Sequence, residues 1–298
     1  MSTPRSLQKS PRVKATTIVT PRGSFAALCA APARGGERQP ALLVPGYTGS
    51  KEDFLAVLES LAAAGRAVTA IDQRGQYESP PAADPSGYAL DQLANDVIWV
   101  AAAIAGDTGQ VHLLGHSFGG LVARQAALAA PGAFLSLTLL GSGPGTIGGE
   151  RAAVLREVLA FLEPVGTDRA RLGTLIAQIW ETQLKPQAEA EGTPFDIIEF
   201  LARRNLGSCP LGLAEMARHL LDCQDRTAEL AELASFPMLV SYGENDDAWP
   251  VDVQEMMAKR LGAERVCIPG AAHSPAVEAP ETTAAMLTTF WNHAESPR

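Results

Sequence analysis

A serine flanked by glycines, between an apolar run and a helical run, is the feature that most constrains how this chain folds. The run Val111–Leu114 leads into Gly115-His116-Ser117-Phe118-Gly119, and residues 120–128 place Leu, Val and Ala at helical spacing. This order predicts a strand, a sharp turn and a helix, with Ser117 at the apex. The Ser117 hydroxyl is then expected beside a helix N-terminus, whose free N–H groups stabilise developing negative charge.

Strand and helix patterns alternate on both sides of this turn. Buried apolar runs predict strands at Val13–Thr20, Ser24–Ala30, Ala41–Val44, Ala67–Ile71, Val111–Leu114, Leu135–Leu140, Phe236–Tyr242 and Arg265–Ile268. Helical spacing predicts helices at Asp53–Ala64, Leu90–Ile104, Val251–Leu261 and Pro280–Ala294. The alternation predicts an α/β fold with a mostly parallel sheet that helices cover on both faces. Chemistry is then expected at the carboxyl ends of the strands.

The alternation stops between residues 150 and 233, where no strand pattern occurs. Helical stretches follow one another there, at residues 151–162, 169–184, 195–204, 211–221 and 227–233. We therefore expect an α/β core made of residues 1–145 and 235–298, with residues 146–234 inserted as a helical cap. The basic, mostly polar residues 1–12 are predicted to form a disordered tail.

A serine hydroxyl becomes a good nucleophile only with a base to take its proton and an acid to orient that base. Among five histidines, His273 alone stands in a loop directly after a predicted strand. Asp246 follows the predicted strand Phe236–Tyr242, and we favour it over its neighbour Asp247 as the acid. The chain order Ser117, Asp246, His273 is the one expected when the serine lies on such a strand-to-helix turn.

Stabilisation of an oxyanion requires two N–H donors near the serine. One candidate is the N–H of Phe118, the residue after Ser117. The other is the N–H of Tyr47, in the turn after the predicted strand Ala41–Val44.

Taken together, these motifs resemble the capped α/β-hydrolase fold family, in the branch with serine esterases and thioesterases. The residues that carry the resemblance are Pro45–Gly49, Asp72–Gly75, Gly115–Gly120, Gly243–Asp246 and His273. It implies that Ser117 attacks an acyl carbon, that His273 relays protons, and that Asp246 orients His273, with no metal and no organic cofactor. Many relatives have His-Gly where this chain has Pro45-Gly46, but backbone donors do not require that histidine.

The expected function is a serine hydrolase that cleaves an apolar carboxylic ester, thioester or lactone through an acyl-enzyme. Carbon–carbon bond hydrolysis by the same residues, and a non-catalytic ligand-binding or receptor protein of the same fold, remain alternatives. Trp180 and Trp249 are candidates for an apolar substrate pocket.

A nucleotide-binding alternative comes from Gly143–Gly148, which matches G-x-G-x-x-G after a predicted strand. That motif should open a strand–helix–strand unit, whereas more than eighty residues of helical pattern follow it here. We therefore interpret Gly143–Gly148 as the hinge into the cap.

The net charge and the cysteines limit which partners the protein can have and which cell compartment suits it. A formal net charge of -9 argues against nucleic acid as a partner, and no apolar run is long enough to predict a membrane span. The four cysteines form no C-x-x-C pair, so reduced thiols in the cytoplasm are expected, although a Cys209–Cys223 bridge stays open. A small acyl compound is the expected partner, and a homodimer is compatible with the sequence.

Overall fold

The computed structural model describes residues 2–33, 38–106, 109–233 and 235–296. Its eight strands are β1 (Val13–Thr20), β2 (Gly23–Ala30), β3 (Arg38–Val44), β4 (Arg66–Ile71), β5 (Val111–His116), β6 (Phe134–Leu140), β7 (Met238–Gly243) and β8 (Glu264–Ile268). They form one sheet in the order β1-β2-β4-β3-β5-β6-β7-β8. β1 and β2 pair antiparallel, β2 is antiparallel to β4, and all later pairs are parallel. The predicted α/β fold with a mostly parallel sheet is thus confirmed.

Helices cover both faces of this sheet. The core helices are α1 (Leu55–Ala63), α2 (Leu90–Ala105), α3 (Phe118–Ala129), α10 (Val251–Leu261), α11 (Pro275–Glu278) and α12 (Pro280–Ala294). Apolar side chains of α1, α11 and α12 pack on one face, and those of α2, α3 and α10 pack on the other. Every residue of β5 and β7 is buried, as expected for central strands covered on both sides.

A helical insertion, Gly149–Leu233, separates β6 from β7. It contains α4 (Gly149–Leu162), α5 (Arg169–Ile179), a π-helical segment (Trp180–Leu184), α6 (Lys185–Ala190), α7 (Phe195–Gly207), α8 (Pro210–Asp222) and α9 (Thr227–Leu233). Buried residues of α4, α5 and α8 belong to the same apolar cluster as those of α2 and α3. The insertion is therefore continuous with one side of the core.

The two ends of the stretch from α4 to α8 meet at Arg124 of α3. The Arg124 guanidinium donates to the carbonyl of Pro144, which precedes α4, and to the carbonyl of Gln224, which follows α8, the second at 3.1 Å. The start of this stretch also contacts its last helix, because Ile147 N–H donates to Leu220 O at 2.8 Å. A single buried side chain thus holds both ends of the α4–α8 stretch together.

One detail differs from the sequence-based expectations, and one open alternative is excluded. The segment predicted as a disordered tail is placed against the body, because Leu7 packs on an apolar cluster of the insertion and Ser2 O accepts a hydrogen bond from Arg204 at 2.6 Å. Cys209 and Cys223 flank opposite ends of α8. Fourteen residues of helical rise separate them by about 21 Å, far beyond the reach of a disulfide, and both are free thiols.

Met1 and Ala234, which belong to the predicted tail and cap, lie outside the described residues. Among the described residues, no helix combines the length and the hydropathy that crossing a bilayer requires.

Candidate active site

Ser117 stands at a strained turn between β5 and α3. Its backbone is at φ +54° and ψ −121°, in a region that L-residues rarely adopt, and it caps the N-terminus of α3. The turn is crowded: a Cβ on Gly115 would collide with the backbone of Gly119, and one on Gly119 would collide with the carbonyl of Val44. The glycines on both sides of Ser117 are therefore required by close backbone approach.

The structure brings together the three side chains that the sequence singled out. His273 Nε2 lies 2.9 Å from Ser117 Oγ, and His273 Nδ1 lies 3.0 Å from Asp246 Oδ1. With Nδ1 donating to the carboxylate, Nε2 is left as the acceptor for the Ser117 hydroxyl proton. The arrangement can move a proton from the serine to the histidine while the carboxylate stabilises the imidazolium.

Asp246 is held in place by more than His273. Its Oδ1 also accepts from Ala248 N–H at 2.9 Å, and its Oδ2 accepts from Gln254 Nε2 at 3.1 Å. Burial by itself would raise the pKa of Asp246, but the hydrogen bond and charge of His273, together with these donors, outweigh burial and lower it. The carboxyl group therefore remains an acceptor for Nδ1–H.

Asp247 points to a different partner. It forms a two-pronged ion pair with Arg151 of α4, at 2.6 and 3.0 Å, and 63% of its side chain is exposed. Burial would raise its pKa, but the hydrogen bonds and charge of Arg151 lower it. Of the two adjacent carboxylates, only Asp246 contacts the histidine, and Asp247 links the core to the helical insertion.

His116, the residue before the serine, supports the loop of His273. Its Nε2 donates to His273 O at 2.7 Å, and the two rings lie 5.1 Å apart. Complete burial, and then the nearby His273, lower the pKa of His116 to about 3, so it is neutral at physiological pH. A neutral ring with one N–H suits a permanent hydrogen bond to a carbonyl.

The turn after β3 lies against the serine. A Cβ built on Gly46 would stand 3.0 Å from the Cβ of Ser117, and Thr48 has φ +56°. Tyr47 lies between Gly46 and Thr48 in this turn, and burial raises the pKa of its phenol to about 12. On the other side, Phe118 is the first residue of α3, so its N–H has no partner within the helix. Both backbone donors expected from the sequence thus belong to segments that flank Ser117.

The two predicted pocket tryptophans differ in position. The ring of Trp249 lies 6.3 Å from that of His273, and its Nε1 donates to Thr146 O at 3.2 Å. Trp180 is buried instead in a separate cluster inside the insertion, with neighbours such as Phe200. Contrary to the expectation from the sequence, Trp180 does not lie at the Ser117 site. Neighbouring helices of the insertion enclose it instead.

The segment Gly143–Gly148 serves as a connection and not as the start of a strand–helix–strand unit. Gly143 leaves space for the Trp249 indole, which a Cβ would overlap. The next helix, α4, leads to further helices and not to a strand. In the described ranges, no three His, Cys, Asp or Glu side chains cluster in a way that could hold a metal ion.

Several contributing residues had no distinct signal in the sequence. Gln254 and Arg151 lie on helices, and helical periodicity does not reveal that one side chain reaches Asp246 and the other Asp247. Gln76, whose amide contacts the turn after β3, is one residue beyond the Asp72–Gly75 motif.

Comparisons with known proteins add independent information. A model of the "Alpha/beta hydrolase family" matches residues 41–286. A protein of Variovorax paradoxus (strain S110) described as a carbamate hydrolase, RutD, is 43% identical over 99 residues, which are 33% of this chain and 36% of that protein. The rhodomycin D methylesterase DauP of Streptomyces sp. (strain C5) is 27% identical over 252 residues, covering 73% of this chain and 81% of the methylesterase.

Among solved structures, a hydrolase from Pseudomonas aeruginosa PA01 aligns with a TM-score of 0.72 at 24% identity, over 93% of this chain and 98% of that one. At this identity the likeness concerns the fold alone. The carbamate hydrolase match spans little more than a third of that relative's length.

Proposed function

The chain belongs to the alpha/beta hydrolase family. We propose that it is a serine hydrolase that cleaves an apolar carboxylic ester, thioester or lactone. The observation that carries this proposal is the continuous hydrogen-bonded series from Ser117 Oγ through His273 to Asp246, with the serine at a helix N-terminus. The names of two relatives, a methylesterase and a carbamate hydrolase, agree with chemistry at an acyl carbon.

The reaction begins with Ser117 Oγ attacking the acyl carbon while His273 Nε2 takes the hydroxyl proton. The carbonyl π-electrons move to oxygen, and the N–H groups of Tyr47 and Phe118 stabilise this oxyanion. Asp246 stabilises the imidazolium that forms.

The tetrahedral intermediate then collapses. Its bond to the leaving group breaks, and His273 gives its proton to the departing oxygen or sulfur. Water repeats the sequence on the acyl-enzyme, with His273 as base and Ser117 as leaving group, and releases the carboxylic acid.

Apolar side chains beside the reacting groups support an apolar substrate. Phe118 follows Ser117, and Trp249 lies beside His273. Both belong to a buried apolar cluster that joins the core and the insertion. Residues 146–234 would act as a cap over the carboxyl ends of the strands, where an acyl chain can lose its hydration. The four free cysteines support a reducing compartment such as the cytoplasm.

The test combines a covalent probe with a substrate series. A fluorophosphonate should add once to the protein, and peptide mapping should place the adduct on Ser117. p-Nitrophenyl esters from acetyl to dodecanoyl should be hydrolysed, with a chain-length optimum that measures the acyl pocket. Absence of both the adduct and turnover would contradict the proposal and favour a ligand-binding protein of the same fold.

A further inference from the structure

The segment Asp72–Gln76, directly after β4, is buried against the oxyanion turn, which we define as Pro45–Gly49. Gln76 Nε2 donates to Gly46 O at 2.8 Å, and Gln73 Nε2 donates to Pro45 O at 2.9 Å. Both glutamine side chains are buried. Two consecutive carbonyls of the oxyanion turn are therefore held by side-chain amides from a neighbouring strand end.

The orientation of the Gln76 amide is fixed by its other atom. Gln73 N–H donates to Gln76 Oε1 at 3.1 Å, so the NH₂ group of Gln76 must face Gly46 O. The backbone is fixed as well, because Gln76 N–H donates to Gln73 O at 2.9 Å and Ser79 N–H donates to Gln76 O at 2.8 Å. Gln76 is thus locked at both its main chain and its amide.

The carbonyl that Gln76 contacts is part of the peptide group that ends in Tyr47 N–H. A hydrogen bond to the oxygen of an amide withdraws electron density from its nitrogen, so the N–H becomes a stronger donor; hydrogen bonds in series strengthen one another in this way. The same bond fixes the plane of the peptide group and hence the direction of the N–H.

We propose that Gln76 is a positioning residue for the oxyanion hole: by donating to Gly46 O it orients and polarises the Gly46–Tyr47 peptide group, whose N–H binds the oxyanion. This inference rests on the proposed function. Gly49 N–H also donates to Gly46 O, at 3.1 Å, so the turn supplies one hydrogen bond and Gln76 supplies the second.

Gln73 offers a matched control. It makes the same kind of buried hydrogen bond, but to Pro45 O, and the N–H of that peptide group belongs to Gly46, which is not a proposed oxyanion donor. Loss of the Gln73 amide should affect stability as loss of the Gln76 amide does, without the same effect on the transition state.

The experiment compares Gln76→Met with Gln73→Met, both with active sites counted by fluorophosphonate titration. Removing an oxyanion donor entirely costs about 10²- to 10³-fold in kcat; weakening one should cost about 10- to 100-fold. We expect Gln76→Met to lower kcat by this factor with KM nearly unchanged. Its affinity for an alkyl boronic acid, which forms a tetrahedral adduct on serine, should fall by a similar factor. In Gln73→Met both quantities should stay within about threefold of wild type.

A spectroscopic signature separates positioning from general structural support. The acyl carbonyl of a trapped acyl-enzyme should absorb at higher infrared frequency in Gln76→Met than in wild type, because weaker hydrogen bonds polarise it less. Equal losses of kcat in the two variants, or an unchanged carbonyl frequency in Gln76→Met, would overturn the inference.

If Gln76→Met does not fold, Gln76→Leu provides the test. Leucine also removes the donor to Gly46 O and places no charge in this buried position. It should lose about as much kcat as expected for the methionine variant, and wild-type activity in Gln76→Leu would overturn the inference. If turnover in the wild type depends on Ser117 and Gln76→Met keeps full activity, the role of Gln76 is refuted while the proposed function stands. Absence of turnover that depends on Ser117 in the wild type refutes both proposals.

Discussion

Two hydrogen-bonded series of a serine, a histidine and a carboxylate lie at opposite ends of the sheet: Ser117–His273–Asp246 and Ser136–His112–Glu295. We name them the carboxyl-end series and the amino-end series. Their serine–histidine distances are 2.9 and 2.7 Å, and both histidine–carboxylate distances are 3.0 Å. Hydrogen-bond lengths therefore do not distinguish a site proposed to react from a buried structural network.

The surroundings of the two serines do distinguish them. Ser136 lies within β6, is fully buried, and pairs in register with His112 of the neighbouring strand. Ser117 stands at φ +54° at the start of α3, beside the first N–H groups of that helix, which have no partner within the helix itself. An oxyanion needs backbone N–H donors close to the nucleophile, and of the two serines only Ser117 stands at a helix N-terminus that can supply them.

The carboxylates of the two series, Glu295 and Asp246, also differ in their partners. Glu295 also accepts from Arg66, and the guanidinium of Arg66 and the ring of His112 both lie against Trp291. Burial would raise the pKa of Glu295, but the hydrogen bonds of His112 and Arg66 outweigh it and lower the pKa to about 2. The amino-end series thus ties α12 to the sheet, which is a structural task.

The largest expected effect contrasts the two serines. Ser117→Ala should lower kcat on the order of 10⁴-fold or more, because it removes the nucleophile. Ser136→Ala should leave kcat within about threefold, because that serine never meets substrate. Steady-state hydrolysis of a p-nitrophenyl ester by both variants measures the difference. Wild-type turnover in Ser117→Ala would refute the mechanism.

The next effect separates the adjacent carboxylates. Asp246→Asn should lower kcat on the order of 10³- to 10⁴-fold, because an amide no longer enforces the tautomer with Nε2 as acceptor. Asp247→Asn should change kcat by less than about threefold, since it removes only a surface ion pair with Arg151. Equal modest losses in the two variants would mean that neither is the orienting acid.

In the amino-end series the expected loss is one of stability and not of rate. Glu295→Gln should lower the free energy of unfolding by about 3 kcal/mol, because the buried guanidinium of Arg66 loses its charged partner. Urea unfolding followed by tryptophan fluorescence measures this. The folded variant should hydrolyse esters at the wild-type rate, and a parallel loss of kcat would show that the two ends of the sheet are coupled.

The smallest expected effect concerns His116, which links the nucleophile turn to His273. The pKa of His116 is about 3 in the folded chain and 6.5 for a free histidine side chain, so between these values the unfolded chain binds a proton that the folded chain does not. Its contribution to stability is complete above pH 6.5 and is lost as the pH falls towards 3. Between pH 7 and pH 5, wild type should lose about 2 kcal/mol more than His116→Gln.

Urea unfolding at the two pH values measures this difference. His293→Gln, at an exposed position, should follow the wild-type curve. Identical pH dependence in wild type and His116→Gln would refute the role of the buried ring.

The sequence was informative where a local pattern determines the structure. The apolar runs predicted every strand to within a few residues, and the glycines around Ser117 predicted the sharp strand-to-helix turn at that residue. Chain order then indicated which histidine should lie near Ser117. These features depend on neighbours in the sequence.

Contacts between distant segments were not predictable in the same way. Asp246 and Asp247 are adjacent and identical in type, and only the fold turns one towards His273 and the other towards Arg151. The hydrophobicity of Trp180 does not say which helices will enclose it. The Ser136 network was missed because its glutamate is 183 residues away from His112.

The meeting of both ends of the α4–α8 stretch at Arg124 has an evolutionary consequence. A segment whose ends lie side by side can be lengthened, shortened or replaced without moving the strands that hold Ser117, Asp246 and His273. Lineages that share this core can therefore diverge in substrate choice by exchanging one continuous stretch of gene while the reacting groups are inherited unchanged. The same arrangement makes the boundaries near Pro144 and Gln224 natural joints for building chimaeric enzymes.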